Sequence, residues 1–127
     1  MGYYTHYNLE AWEVDTKRQI DESLESKIAT HLARVAFEET DDDDYEYEGF
    51  DEILCGELKW DHHSEDMKLI SKNYPNLVFL LHGTGEVHTD IWREWFHNGH
   101  SEYIRARVTF DIPQNDTFKG ILVGEEL

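Results

Sequence analysis

The chain has 127 residues, a length that fits one domain, and we therefore expect a single domain over residues 1–127. It carries 28 Asp and Glu residues against 11 Lys and Arg residues, which gives a formal net charge of −17. Nucleic acids and anionic membranes are bound through clustered cations, so this charge argues against both as direct partners and favours a basic protein partner.

The N-terminal third predicts a strand followed by a helix. Residues 3–14 are rich in Tyr, Thr, Trp and Val, which is the composition of a β-strand. Residues 17–37 repeat apolar side chains at helical spacing, and we expect Asp15 or Thr16 to cap the start of this helix. Its apolar stripe consists of Ile20, Leu24, Ile28, Leu32 and Val35.

An acidic loop follows over about residues 38–52. Its four successive aspartates repel one another and cannot be buried, so we expect a solvated segment. Residues 38–66 hold 14 acidic residues and one basic residue, which shows that the charge is concentrated rather than uniform. The spacing lacks the alternate ligands and the glycine of a calcium loop. The carboxylates that we expect to bind a partner are Asp41, Asp42, Asp43, Asp44, Glu46 and Glu48.

The middle of the chain predicts a strand, a helix and a second strand. Residues 53–60 end in a short strand signal, and residues 64–74 repeat apolar side chains at helical spacing until Pro75 ends the pattern. Residues 77–81 form a continuous apolar run, which is typical of a central strand. We expect Gly83-Thr84-Gly85 to break that strand.

Residues 90–110 are expected to form a β-hairpin. Asn98-Gly99 is a strong two-residue turn signal, because a type I′ turn needs a positive φ at both positions. This turn would pair His97 with His100. The alternative is a short helix over residues 90–97 that ends at Asn98-Gly99.

The hairpin would divide its side chains between two faces of the sheet. We expect the core face to carry Ile91, Ile104, Ala106, Val108 and Phe110. The opposite face would carry Trp92, Phe96, Tyr103, Arg105 and Arg107. Trp, Tyr and Arg are enriched at the centres of protein interfaces, so we expect this face to bind a partner unless the C-terminal tail covers it. The partner-binding residues there would be Trp92, Phe96, Tyr103 and Arg105.

The predicted order is strand, helix, strand, helix and three further strands, with residues 113–127 as a C-terminal tail. Two amphipathic helices must bury their apolar faces against one face of a sheet. We therefore predict the α+β class. The expected architecture is a two-layer sandwich with a mostly antiparallel sheet and two helices on one face, ferredoxin-like in general build.

The histidines are the candidate metal ligands. His82, Glu86 and His88 share the parity of an extended chain, and His97 and His100 would flank the hairpin turn. No HExxH motif or Cys/His framework surrounds them, and surface histidines explain the same pattern. We therefore expect no metal, no cofactor and no catalytic residue.

The compartment is inferred from absent signals. No run approaches the roughly 20 apolar residues of a membrane span, and the first residues lack the basic and apolar regions of a signal peptide. The single cysteine, Cys55, cannot form a disulfide within the chain, and its apolar neighbours predict a small buried side chain. We expect a cytoplasmic protein.

One block of the sequence, about the middle third of the chain, resembles a known group of proteins. It comprises Lys59-Trp60-Asp61-His62, Met67, Pro75, His82-Gly83-Thr84-Gly85-Glu86, Asp90-Ile91-Trp92-Arg93, Phe96 and Asn98-Gly99. This block resembles small proteins of bacteriophages and bacteria that carry an HGxGE…DxW…F.NG pattern. The resemblance implies a phage-linked origin, and hence the host cytoplasm, but it lends no activity.

These observations favour a non-enzymatic acidic binding protein. Carboxylates spaced along a surface imitate DNA phosphates, so the chain is expected to act as a phage-encoded inhibitor in the basic groove of a nucleic-acid-binding enzyme, such as a restriction or CRISPR effector. One alternative is a self-associating protein, for example a homodimer, that pairs through the aromatic face of its sheet. A second alternative is a small metal-dependent hydrolase that uses the histidines.

Overall fold

The computed structural model describes residues 3–37, 46–87, 89–109, 111 and 114–115. A single-turn π-helix, Ala33–Phe37, extends the first helix. The other elements in chain order are β1 (Thr5–Glu13), α1 (Glu22–Leu32), α2 (Phe50–Ile53), β2 (Glu57–Leu58), α3 (His63–Asn73), β3 (Leu77–Gly85), β4 (Ile91–His97) and β5 (His100–Arg105).

The five strands form one antiparallel sheet in the order β2-β1-β3-β4-β5. The predicted α+β class is confirmed, and the general build is compatible with a ferredoxin-like arrangement. The helices of the described residues are all too short or too polar to span a membrane.

The core lies between α1 and α3 and one face of the sheet. Alternate residues of β1 point into it, and Tyr7, Leu9 and Ala11 are all buried. The predicted apolar stripe is confirmed from Leu24 onward, since Ile28 and Leu32 are fully buried and Leu24 and Val35 pack at the margin of the core. Ile20 also packs there but precedes the helix. Burial of each such aliphatic side chain contributes about 1.5–3 kcal/mol to folding.

The first helix starts later than predicted. Its N-cap is Asp21, whose Oδ1 accepts a hydrogen bond from the amide of Leu24 at 2.8 Å. Asp15 and Thr16 lie instead in the turn after β1, where Lys17 adopts a positive φ of 61°. This turn reverses the chain, so that Gln19 forms a β-bridge with Trp12 of β1 before α1 begins.

The hairpin between β4 and β5 is confirmed in its predicted register. Asn98 and Gly99 have φ values of 47° and 83°, as a type I′ turn requires, and His97 pairs with His100. The alternative helix over residues 90–97 is wrong. All six residues of β5 are exposed, and no strand of the described residues pairs with its outer edge.

The predicted faces of the hairpin are wrong, because the face that carries Trp92 and Phe96 packs against the helices and the face that carries Ile91 and Ile104 does not. Trp92 and Phe96 lie on the helix side and are 6% and 0% exposed, whereas Ile91 and Ile104 are exposed. Gly83 explains why Trp92 rather than Ile91 faces the core. The prediction that Gly83 breaks β3 is wrong, because it lies within the strand and pairs with Trp92. A Cβ atom on Gly83 would lie 2.1 Å from the indole of Trp92. The missing side chain leaves room for Trp92 in the core.

The predicted acidic loop and tail lie largely outside the described residues. Asp41, Asp42, Asp43 and Asp44 fall there, as do Phe110, His88 and all of residues 113–127 except Gln114 and Asn115. Glu46 and Glu48 are described, and both are exposed. The prediction of a buried Cys55 is wrong, since its side chain is exposed.

Candidate functional site

Exposed apolar side chains gather at one end of the sheet. Nine large apolar residues of the described chain are exposed, and only Val14 and Leu69 lie elsewhere. This end is where β1 and β4 begin and where β3 and β5 finish, as the pairing of Thr5 with Gly85 shows. We call it the apolar end. It consists of Tyr3, Tyr4, Val87, Ile91, Tyr103, Ile104 and Val108.

Hydrogen bonds hold the N-terminal residues against the loop between β3 and β4. The Tyr3 hydroxyl donates to Oδ2 of Asp90 at 2.7 Å and accepts from the amide of Val87 at 3.2 Å. The amide of Tyr4 donates to Oε2 of Glu86 at 2.6 Å. Gly85 makes room for this arrangement, because a Cβ atom there would lie 2.2 Å from both the Tyr3 hydroxyl and Asp90. These bonds join Tyr3 and Tyr4 to the residues that flank Val87 in the apolar end.

A shallow pocket of about 260 Å³ opens at the apolar end on the helix side. Its floor consists of Tyr7, Trp60 and Trp92, which are only 4–6% exposed. Tyr7 meets both indoles nearly edge-on, with interplanar angles of 68° to Trp60 and 72° to Trp92. Its mouth is lined by Tyr3, Asp61, Asp90, Tyr103 and Arg105.

The charged side chains around the pocket are two aspartates and one arginine. Burial is the main reason that the pKa of the Tyr7 hydroxyl lies above 10.0; a hydrogen bond with Thr5 opposes this shift, while the charges of Asp61 and Asp90 add to it. Nη2 of Arg105 lies 3.5 Å from Oδ1 of Asp90. These two carboxylates outnumber the one arginine at the mouth.

A buried carboxylate supports the pocket from behind. Glu94 lies on the core side of β4 and is 4% exposed. Its Oε1 lies 3.2 Å from Nε2 of His63, and its Oε2 accepts a hydrogen bond from the Ser64 hydroxyl at 2.8 Å. The ring of His63 stacks on Trp92 with centroids 4.8 Å apart. Because a buried carboxylate needs such partners, this network fixes the start of α3 against the sheet.

The same network does not form a nucleophilic triad. In that arrangement the serine hydroxyl donates to the histidine, and the acid orients the histidine from its other side. Here the hydroxyl of Ser64 donates to Glu94 rather than to His63. The contacts therefore describe a structural anchor and not an activated serine.

Of the candidate metal ligands, His97 and His100 pair across the hairpin turn, His82 lies elsewhere on the sheet, and His88 lies outside the described residues. Nε2 of His82 lies 2.7 Å from Oε2 of Glu10 on the face opposite the helices, and Nε2 of His97 lies 3.1 Å from the carbonyl oxygen of Pro75. Across the described residues, no group of three or more His, Cys, Asp or Glu side chains could hold a metal ion.

The structure brings together some of the predicted partner-binding residues. Tyr103 and Arg105 lie at the mouth of the pocket, and Trp92 lies in its floor. Phe96 is fully buried in the core and is unavailable to a partner. The residues that sequence reasoning missed are Tyr3, Tyr7, Trp60, Asp61, His63, Asp90 and Glu94.

A wider groove of about 890 Å³ runs along α1. Its lining mixes charges, with Lys27 and Arg34 beside Asp21 and Glu46, and none of its residues is a large exposed apolar side chain. The apolar end therefore has the composition of an interface and the groove does not.

Comparisons of this chain with models of protein families, with curated proteins and with solved structures find no match. Function is therefore inferred from the geometry and charge of the chain itself.

Proposed function

We propose that this chain is a non-enzymatic acidic binding protein whose apolar end contacts a basic protein partner. The clustering of seven exposed apolar side chains, three of them tyrosines, carries this proposal. Single exposed apolar residues are ordinary on a protein surface, whereas their concentration at one end of a sheet, with polar residues among them, favours an interaction site there. Tyr and Arg are also the residues that most often dominate binding energy.

The charge supports a basic partner. A net charge of −17 attracts basic surfaces over a distance of about one Debye length, roughly 8 Å at physiological salt. At the apolar end the carboxylates of Asp61, Glu86 and Asp90 accompany the tyrosines. We propose a nucleic-acid-binding enzyme as the partner, with this surface in the groove that otherwise holds phosphates, as expected of a phage-encoded inhibitor.

To test this proposal, the full chain is immobilised and used to capture proteins from bacterial lysate. The captured protein is then purified, and its affinity for the full chain is measured. We expect duplex DNA to displace it and the dissociation constant to rise at least about tenfold between 50 and 200 mM salt. Tyr103→Ala should weaken binding by about 30-fold, the effect of an interface hot spot. Leu69→Ala is the matched control, because Leu69 is similarly exposed but lies on α3 away from the apolar end.

The outcomes separate the parts of the proposal. Equal losses for Tyr103→Ala and Leu69→Ala would refute the apolar end as the interface. Binding that resists both salt and duplex DNA would refute the imitation of DNA charge. A variant with Asn at Asp41, Asp42, Asp43 and Asp44 tests the acidic loop separately, and unchanged affinity would assign that loop to solubility alone.

Self-association is the second candidate, and the exposed outer edge of β5 favours it. An edge strand presents backbone donors and acceptors to another strand, and Tyr103 and Ile104 are about half exposed on its two faces. Sedimentation equilibrium over a range of concentrations tests it. A mass that stays at that of one chain would exclude a homodimer.

A further inference from the structure

We propose that the pocket at the apolar end binds the ammonium group of a lysine side chain. This inference rests on the proposed function, since the lysine would belong to the basic partner. The pocket combines an aromatic floor, two half-exposed tyrosines at its mouth and two aspartates, and rings together with carboxylates are the groups that recognise organic cations.

The net negative charge at the mouth of the pocket favours a cation as the ligand. Asp61 and Asp90 face the pocket, and Arg105 is the one cation with them. Arg105 itself lies beside Tyr103 and Asp90, and its hydrogen bond with Tyr103, assisted by the charges of Tyr103 and Asp90, raises the pKa of its guanidinium; the chain thus already places a cation against this surface. The side chain of Arg105 is 65% exposed and contacts Asp90. The carboxylate of Asp61 is therefore the one that we expect a second cation to contact.

The start of α3 does not reverse this sign. A helix N-terminus carries about half a positive charge. Here Glu65 and Asp66 occupy the first turn and Asp61 precedes the helix, so full negative charges exceed that partial charge. His63 faces the pocket as well, but its Nε2 is held by Glu94.

The geometry at Asp90 favours an ammonium over a guanidinium. A guanidinium is planar and binds best when it stacks on a ring or contacts both oxygens of one carboxylate. Asp90 has one oxygen occupied by the Tyr3 hydroxyl and the other facing Arg105, so it cannot offer both. The ring of Tyr7 stands steeply inclined to both floor indoles, which suits a compact head with freely rotating donors.

The test uses n-butylammonium as the probe, because it reproduces the head and stem of a lysine side chain. Indole N–H resonances of the full chain are followed by NMR during titration. We expect saturable shifts for Trp60 and Trp92 and none for Trp12 and Trp95, which lie on the opposite face of the sheet. n-Butylguanidinium should bind several-fold more weakly, and n-butanol should cause no saturable shift.

Two matched variants locate the site. Asp61→Asn should weaken n-butylammonium binding about threefold, as expected for loss of one exposed ion pair. Asp15→Asn removes the same charge at the far end of β1 and should leave the affinity unchanged. No saturable shift with n-butylammonium, or equal effects of the two variants, would overturn the inference.

The two proposals fail separately. If the pocket ignores ammonium but Tyr103→Ala still loses the partner, the apolar end is an interface without a lysine site. If n-butylammonium binds but Tyr103→Ala and Leu69→Ala retain the partner equally, the cation site is real and the proposed interface is wrong.

Discussion

Replacing Gly83 with alanine should destabilise the protein through one contact. The added Cβ atom would lie 2.1 Å from Cε2 of Trp92, whereas carbon atoms pack at about 3.5–4.0 Å, so the indole must move by more than about 1 Å. It cannot move alone, because His63 and Tyr103 lie against it with ring centroids 4.8 and 5.4 Å away. The φ of Gly83 is not positive, so alanine suffers no backbone penalty.

The expected cost is about 3 kcal/mol. Overpacking a core costs about 1–3 kcal/mol, and complete loss of the packing of a tryptophan costs about 3–5 kcal/mol, which sets the upper limit. A domain of this size is stable by about 5–15 kcal/mol, so the variant should remain folded in water. If the added Cβ atom met no neighbour, replacing glycine with alanine in a strand would instead stabilise the protein by about 0.5–1 kcal/mol. The sign of the change in unfolding free energy therefore shows whether the contact with Trp92 exists.

Urea unfolding followed by tryptophan fluorescence measures this cost. Gly56→Ala is the control, since Gly56 has a φ of +72° and open space around it, and it should lose about 1 kcal/mol from the backbone alone. The double variant Gly83→Ala/Trp92→Leu should cost about 2 kcal/mol less than the sum of the single variants. Additive effects, or a cost below about 0.5 kcal/mol for Gly83→Ala, would refute the contact with Trp92 as the cause.

Three further predictions concern titratable groups. Glu94→Ala should cost about 2–3 kcal/mol in urea unfolding because it leaves buried partners unsatisfied, whereas Glu102→Ala, on the exposed strand β5, should cost under about 0.5 kcal/mol. The raised pKa of Tyr7 means that the unfolded chain loses its proton first, so stability falls as the pH rises above 10.0, and Tyr7→Phe should flatten this decline. Burial, assisted by the charge of Arg34, lowers the pKa of His31, so the unfolded chain takes up the proton first and stability falls as the pH drops below 6.5. His31→Gln should reduce that fall, and unchanged slopes in thermal unfolding across either pH range would contradict the assignment.

The parts of the fold that follow local chemistry could be predicted from the sequence. The turn at Asn98-Gly99 requires positive φ at two successive residues, and this alone fixed the hairpin register. The stripe through Ile28 and Leu32 has a period that only a helix buries on one side. The start of α1 at Asp21 was missed, because a competing turn precedes it.

The face of the hairpin could not be predicted, because it depends on residues far away in the chain. Glu94 lies between Trp92 and Phe96 at the core parity, and an acidic residue there argues against burial unless it has partners. Those partners, His63 and Ser64, precede it by about 30 positions and meet it only after α3 packs on the sheet. An acidic residue alternating with aromatic residues in a strand was the one available signal.

The distribution of predicted site residues follows from which face of the hairpin packs against the helices. Tyr103 and Arg105 remain exposed because β5 is the last strand of the sheet, whereas Phe96 lies one strand further in and beneath α3. The pocket was invisible in the sequence, since its floor joins Tyr7, Trp60 and Trp92 from three separate parts of the chain.

No strand of the described part of the chain pairs with the outer edge of β5, and this makes colloidal stability depend on charge. Such an edge invites other copies to extend the sheet, and proteins ordinarily block this with charged residues on that strand. In β5, the charges of Glu102 and Arg105 cancel, so the strand itself does not repel a second copy. The barrier to association of two copies comes instead from the repulsion between their net negative charges. That repulsion vanishes near the isoelectric point of about 4.6. Mild acid should therefore precipitate the native protein through strand pairing before the fold itself is lost.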